Sequence, residues 1–457
     1  MKYGINLTWN DLKTDEGALA LVREYLPAME MIANQAPGAA RIAIRTAQNY
    51  APQMFPADKV AQLDKALKEY GASKGLNPEE AAKVEKYHRM QELHKVESHP
   101  EKAVKYDAFY PGKVWLDTNG NPIQTHGGAV YYEDGVYYWY GENKEFTDGK
   151  NPIWTWGIRM YRSTDLYNWE DLGLVAEPDL DNPDGNLFPE KYADRPHIIH
   201  CAATGKYVMW VKISSAESCF TILQADKLTG PYTIVTEDYY PLGNSVGDFD
   251  LVVDEETGKA YLYVDTTPKR IAGFELAEDY CSAVREVSSQ YENLTPPFCR
   301  EGVTMFAHEG KKYMITSGIS GYTPNQSDTA EADSWTEPFV SIGDPHVDDS
   351  TMASFNSQIS QVFKVAGTEL YIAVADRWMP DHLLDGKSAD AIRRVIASRY
   401  QPERYQATPE EVQMFADRPD LERNNTSRST YVWLPVTFHN GKPEIHWYDS
   451  WKIEDFV

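Results

Sequence analysis

Two patterns of hydrophobic and polar positions divide the chain near residue 105. Over residues 15–95 apolar side chains recur every three or four positions, as in EGALALVREYLPAMEMIANQ and PADKVAQLDKALKEYGA, which is the period of amphipathic helices. Thr14-Asp15-Glu16 and Asn77-Pro78-Glu79-Glu80 read as helix starts, each with a cap residue and acids in the first turn. Three to five helices are expected, forming a small all-α module over residues 1–105. From about residue 111 the pattern changes to short apolar runs rich in aromatics, bounded by Gly, Asp and Asn, which is strand and turn chemistry.

One of those runs recurs. GVYYWYGE begins at Gly135, GKYVMWVK at Gly205, GKAYLYVD at Gly258, GKKYMITS at Gly310 and GTELYIAV at Gly367, so the starts are 70, 53, 52 and 57 residues apart. Each follows another apolar strand: HGGAVYY, RPHIIHC, DFDLVVD, GVTMFAH and SQISQVF. A repeated hairpin at roughly fifty residues is the period of propeller blades. The expected fold is mainly β: a five-bladed β-propeller over residues 106–457, with YVWLPVTFHNGKPEIHWY supplying closing strands. Face-to-face packing of blades explains why the aromatic run YYWY does not alternate with polar residues.

Composition narrows the partners. The 44 basic and 69 acidic side chains leave a formal charge of −25, which opposes binding to nucleic-acid phosphates or anionic membranes. Aromatics make up 12% of the 457 residues, compatible with buried strands and with sugar stacking. Cys201, Cys219, Cys281 and Cys299 have no CxxC spacing, so they read as reduced thiols of a cytoplasmic bacterial protein; the start of the sequence shows no secretory signal pattern. His88, His94 and His99 lack a zinc-binding spacing and read as a solvated helix end.

If the first strand of each hairpin lines the propeller axis, the residues that open these strands converge on one polar pocket. They are Gln124-Thr125-His126-Gly127-Gly128, Asp194-Arg195-Pro196-His197, Ser245-Val246-Gly247-Asp248, Arg300-Glu301-Gly302 and Ser357-Gln358. Separated carboxylates on a rigid frame suit general acid catalysis at a glycosidic bond, with one acid kept protonated by burial and a neighbouring charge.

At these residues the sequence resembles glycoside hydrolase family 43, over roughly 111–457. REGVTMFAHEGKKYMITSG looks like the segment carrying the family's general acid, which implies Glu301. SVGDFDLVVDEETGKAYLYV looks like the segment whose aspartate orients and tunes that acid, which implies Asp248. Most of the family opens blade one with His-Ala-Asp-Pro, whose aspartate is the base, whereas this chain reads NPIQTHGGAV. That difference, with YYWYGENK, DRPH, SQIS, DRW and YVWLP, resembles the exo-β-1,3-galactanase branch. There a glutamine replaces the base as an imidic-acid tautomer, which implies Gln358, and two carboxylates hold the terminal galactose, which implies Glu142 and Asp194. The chain departs from the branch at Val246-Gly247-Asp248, where an arginine is usual beside the aspartate, at Gly302-Val303, and at Tyr322, usually tryptophan.

The resemblance thus implies inverting release of terminal galactose from β-1,3-galactan or arabinogalactan-derived oligosaccharides. Catalysis falls to Glu301, Asp248 and Gln358, and substrate binding to Glu142, Asp194, His126, Gly127, Gly128, Tyr322 and Trp378. Gly127 and Gly128 are expected to let the sugar ring approach the backbone, and Trp139 and Tyr140 are further stacking candidates, Trp139 reading better as core. The alternatives are an α-L-arabinofuranosidase, a β-galactofuranosidase, or a non-catalytic sugar-binding propeller. No cofactor or metal ligand set is expected, apart from an axial calcium ion near His126 or His197 of the kind this family often holds. The helical module is a candidate dimer contact.

Overall fold

The computed structural model describes residues 3–36, 38–94, 98–267, 269–418 and 425–457. They form two compact units, one from the first 95 residues together with Asp179–Phe188, the other from the remainder.

The first unit contains six helices: α1 (Trp9–Leu12), α2 (Glu16–Tyr25), α3 (Ala28–Gln35), α4 (Ile44–Tyr50), α5 (Ala57–Ser73) and α6 (Pro78–Leu93). The sequence pattern anticipates three to five. The four-residue α1 and seven-residue α4 are too short to show a helical period, and α1 is held by a capping box between Thr8 and Asp11. Asp15 and Asn77 cap α2 and α6 at the expected starts. Val60, Leu63 and Leu67 of α5 present one buried stripe to a core that includes Trp9, Leu12 and Val22. Asp179–Phe188, a stretch from within the strand-rich sequence, belongs here as well: Phe188 meets Tyr87 edge to face at 5.4 Å, and Asp181 lies 2.8 Å from His88 Nε2.

The second unit is a five-bladed propeller of four-stranded antiparallel sheets, each built from consecutive strands. Blade one holds β1 (His126–Glu133), β2 (Val136–Glu142), β3 (Ile158–Ser163) and β4 (Glu170–Ala176). Blade two holds β5 (Tyr192–Cys201), β6 (Lys206–Ser214), β7 (Cys219–Ala225) and β8 (Thr233–Tyr239). Blade three holds β9 (Val246–Val253), β10 (Ala260–Thr266), β11 (Arg270–Leu276) and β12 (Ala283–Gln290). Blade four holds β13 (Arg300–His308), β14 (Lys311–Gly318), β15 (Ser327–Ala332) and β16 (Val340–Gly343). Blade five holds β17 (Gln358–Lys364) and β18 (Tyr371–Arg377), then helices α7 (Gly386–Tyr400) and α8 (Pro409–Ala416), then β19 (Thr430–His439) and β20 (Lys442–Ile445).

Strands β1, β5, β9, β13 and β17 touch in a closed ring, so the first strand of every hairpin is innermost, as the repeat implies. Trp139 in β2 is fully buried among Trp115, Trp169, Tyr431 and Trp433, which makes it core. The terminal run completes blade five and exchanges no strand with blade one. The seam between those blades is closed by side chains. Gln361 accepts from Val130 N (2.6 Å) and donates to Val130 O (3.1 Å), Ser360 donates to Gly128 O (2.6 Å), and Asp376 accepts from Gly127 N (2.9 Å). Phe109 and Trp451 pair as an antiparallel bridge with their rings stacked at 4.3 Å.

Candidate active site

Every inner strand carries one extra residue near its start. Between His126 and Ala129, Asp194 and His197, Val246 and Phe249, and Glu301 and Thr304, three steps on the inner strand face two on its neighbour; in β17 two steps, Ile359 to Gln361, face one. Such bulges re-aim side chains and favour left-handed residues. Gly127 and Gly302 supply that conformation without strain (φ +57° and +63°), whereas Arg195 adopts it as a non-glycine (φ +49°). Five bulges at the same strand end explain why Asp194, Asp248, Glu301 and Gln358 converge on one site.

A second polar tier stands at the ends of the second strands: Glu142, Lys212, Asp265, Ser317 and Asp376. The two tiers are cross-linked. Lys212 Nζ lies 2.7 Å from Asp248 Oδ1 and 3.6 Å from Asp194 Oδ2. Arg195 is the hub: its Nε is 3.0 Å from Asp248 Oδ2, its Nη2 donates to Gln358 Oε1 (2.6 Å), and its backbone N–H donates to Glu142 Oε1 (2.9 Å). Glu142 Oε2 pairs with the fully buried Lys144 ammonium at 2.7 Å. Asp194 accepts from Trp154 Nε1 (2.5 Å) and Ser214 Oγ (2.6 Å). Gln358 Oε1 also accepts from Trp378 Nε1 (3.2 Å), while its Nε2 donates to Ser317 Oγ (2.8 Å). Both donors identify the oxygen of this amide. With that oxygen accepting twice, a proton on it would face two N–H groups, so the imidic acid requires Arg195 or Trp378 to turn away.

The electrostatics separate the acids. Burial pushes the Glu301 carboxyl up to about 8, helped by Asp248 and Asp265 and opposed by Lys212 and Lys269. Burial also acts to raise Asp248, but Arg195 and Lys212 outweigh it and hold this carboxylate well below the usual range. Glu142 is lifted by burial to about 7, against the pull of Lys144 and with a push from Asp194. A proton-bearing glutamic acid beside an ionised aspartate is an acid–orienter pair. Next to it opens a pocket of about 730 Å³ whose walls include Trp154, Tyr192, Asp194, Lys212, Ser214 and Tyr322.

The profile of glycosyl hydrolases family 43 matches residues 91–375. The chain belongs to glycosyl hydrolase family 43. Solved structures of the family share the fold. One, a family 43 β-1,3-galactosidase, is 26% identical with a TM-score of 0.61 over 77% of this chain and 65% of its own, so this chain spans slightly under two thirds of that protein. The exo-β-1,3-galactanase of Phanerochaete chrysosporium, solved with β-1,3-galactotriose, is 22% identical with a TM-score of 0.60 over 76% and 68% of the two chains. That of Clostridium thermocellum is 22% identical with a TM-score of 0.58 over 76% and 66%. Among curated proteins there is no significant match.

On this family 43 scaffold the expected residues divide into three groups. Glu301, Asp248, Gln358, Glu142 and Asp194 come together in one network. Tyr322 and Trp378 stand beside it, their rings 5.5 Å apart and Tyr322 6.1 Å from Trp154. His126, Gly127 and Gly128 serve differently from expectation. His126 is buried behind the site, its Nδ1 3.1 Å from Asp376 and its ring stacked on Tyr431. A Cβ at Gly127 would sit 2.6 Å from Glu142 Oε1, and one at Gly128 would sit 1.9 Å from Tyr140 O. These glycines admit a carboxylate and a neighbouring strand. Tyr140 is likewise core, its hydroxyl accepting from Ile198 N at 2.8 Å.

Arg195 stands among the strand openings expected to converge but carries no assigned role there, and Lys212, Lys144, Trp154 and Asp265 are not singled out from the sequence. Lys212 and Asp265 had a signal, since they are the last letters of GKYVMWVK and GKAYLYVD. As for metals, His126 and His197 direct Nδ1 to Asp376 and Asp250 (3.1 Å each), and among the described residues no group of three or more His, Cys, Asp or Glu is placed to hold an ion. Both imidazoles leave a buried Nε2 without a hydrogen-bond partner among the described residues.

Proposed function

We propose that this protein is an inverting, exo-acting glycoside hydrolase that releases terminal galactose from β-1,3-galactan or arabinogalactan-derived oligosaccharides. The observation that carries this reading is the pairing of Glu301, protonated near neutral pH, with an ionised Asp248 that is joined through Arg195 to Gln358. A neutral sugar also fits the charges. The four cations at the base of the site face four carboxylates: Lys144 pairs with Glu142, Arg195 with Asp248, Lys212 with Asp248 and Asp194, and Lys269 with Asp265.

In the proposed reaction Glu301 gives its proton to the glycosidic oxygen as the C1–O bond breaks. A water oxygen bonds to C1 from the opposite face, and the resulting oxonium loses its proton to solvent, from which Glu301 is recharged. Gln358, pinned by Arg195, Trp378 and Ser317, keeps its second Nε2–H to hold that water. Glu142 and Asp194 retain acceptor sites for sugar hydroxyls, and Tyr322, Trp378 and Trp154 supply ring faces.

Product analysis by ¹H NMR on β-1,3-galactotriose and arabinogalactan oligosaccharides tests this reading. Galactose released as the α anomer is expected. Arabinose release from an arabinofuranoside instead, or calorimetric binding without product, would overturn it.

A further inference from the structure

Gly247, immediately before Asp248, leaves a space that another residue fills. A Cβ there would lie 2.0 Å from Asp265 Oδ1, so the absence of a side chain at 247 is what admits the Asp265 carboxylate from the end of β10. Asp265 is buried, and its Oδ2 accepts from Asp248 N at 3.2 Å. Its counter-ion is Lys269, whose Nζ lies 3.0 Å from Oδ1 and whose side chain, from the turn into β11, is 42% exposed.

This pair differs from the ion pairs around it. Asp248 is compensated by two buried cations, Arg195 and Lys212. Asp265 has one ion-pair partner, Lys269, which is partly exposed, with Lys212 acting on it from further away, so its charge is neutralised incompletely and adjustably. The charged and titratable groups that act on Glu301 come from blades two, three and four: Arg195 of β5, Lys212 of β6, Asp248 of β9, Asp265 of β10, Lys269 of the turn, Cys299 before β13, and Tyr322 after β14. Asp265 and Lys269 are the two whose mutual balance is set at the protein surface.

We propose that Asp265 and Lys269 form a positioning pair for the general acid: the Asp265 carboxylate keeps Glu301 loaded with its proton, and the Lys269 ammonium trims that effect. The inference rests on reading Glu301 as the acid. The contacts lead to the acid, since Asp265 accepts from Asp248 N and Asp248 Oδ2 accepts at 3.2 Å from the backbone N–H of Gly302, the residue after Glu301; the direction of each influence agrees, Asp265 raising the Glu301 carboxyl and Lys269 lowering it.

The test is a ¹³C NMR titration of [δ-¹³C]glutamate-labelled protein, with the Glu301 resonance assigned by its loss in Glu301→Gln. No substrate is needed, so the outcome is independent of whether galactosides are hydrolysed. Asp265→Asn, which keeps the acceptor for Asp248 N, should lower the Glu301 midpoint by about one pH unit, and Lys269→Met should raise it. Lys269→Arg should restore the wild-type value. Because Lys269 is exposed, its variants keep the test decisive even where Asp265→Asn fails to fold. In the active enzyme the alkaline limb of kcat/KM should move with the same signs. A merely structural pair would not give shifts of opposite sign. Midpoints that stay put, or that move together, would overturn the proposal.

Discussion

The two glutamates of the site sit in contrasting surroundings. Glu142, at the end of blade one's second strand, is tied at both oxygens, by the Lys144 ammonium and by Arg195 N–H. Glu301, at the start of blade four, has its backbone carbonyl fixed by Ser317, but its carboxyl receives no hydrogen bond among the described residues and faces Asp248 and Asp265. Burial lifts both. The difference lies in tethering: a carboxylate with one partner on each oxygen is stiff and keeps its remaining lone pairs to accept from a hydroxyl, whereas an untethered acid can part with its proton. One residue type, in one pocket, is assigned two tasks by its neighbours.

The strongest challenge to that contrast is Glu301→Gln, which should cut kcat on an unactivated β-1,3-galactobioside by ~10²–10⁴ with little change in KM. A fall in KM-governed binding alone would reverse the two roles. Gln358→Ala should lower kcat by about 10², the scale of a misplaced reactant; an active Ala variant would return attention to Glu142 as the water's partner. Glu142→Gln should raise KM about tenfold and spare kcat, the loss of roughly 1.5 kcal/mol from a charged hydrogen bond. The smallest effect is on stability. Glu301 has a folded value of about 8, above its unfolded one, so it favours the folded state at low pH and that contribution is lost as pH rises toward 8. Thermal melts should therefore show Glu301→Gln gaining on wild type between pH 5 and pH 9, while wild-type turnover falls as the acid deprotonates.

Much of this was legible in the sequence because propeller blades repeat. The glycine turn and apolar run recur five times, and the inner-strand openings held Asp194, Asp248, Glu301 and Gln358. The second tier was present in the same repeats, as the closing letters of YYWYGE, MWVK, YLYVD and MITS, but a polar residue ending a strand looks like a turn former until its register is known. Gly127 and Gly128 were legible only in part for a related reason. Glycine reports that something approaches the backbone, and here Glu142 Oε1 and Tyr140 O are what approach. Trp154 lay in a stretch without periodicity, and only its 2.5 Å bond to Asp194 identifies it. The placement of Asp179–Phe188 in the helical unit has no sequence signature, since it depends on contacts such as Phe188 on Tyr87.

The seam of the ring has a consequence for how activity is lost on heating. Among the described residues no strand crosses between blades five and one, and what joins them is a line of side chains, Gln361 on Val130, Ser360 on Gly128 and Asp376 on Gly127, together with the backbone bridge between Phe109 and Trp451. Gln358 stands on one bank and Glu142 on the other. Parting the banks would separate the water-holding amide from the sugar-holding carboxylate while all five sheets stay intact. The seam should therefore act as a fuse: on heating, activity is expected to fall before the far-ultraviolet signal of β structure, and the amides of Gly127 and Val130 to exchange with solvent ahead of those inside the blades.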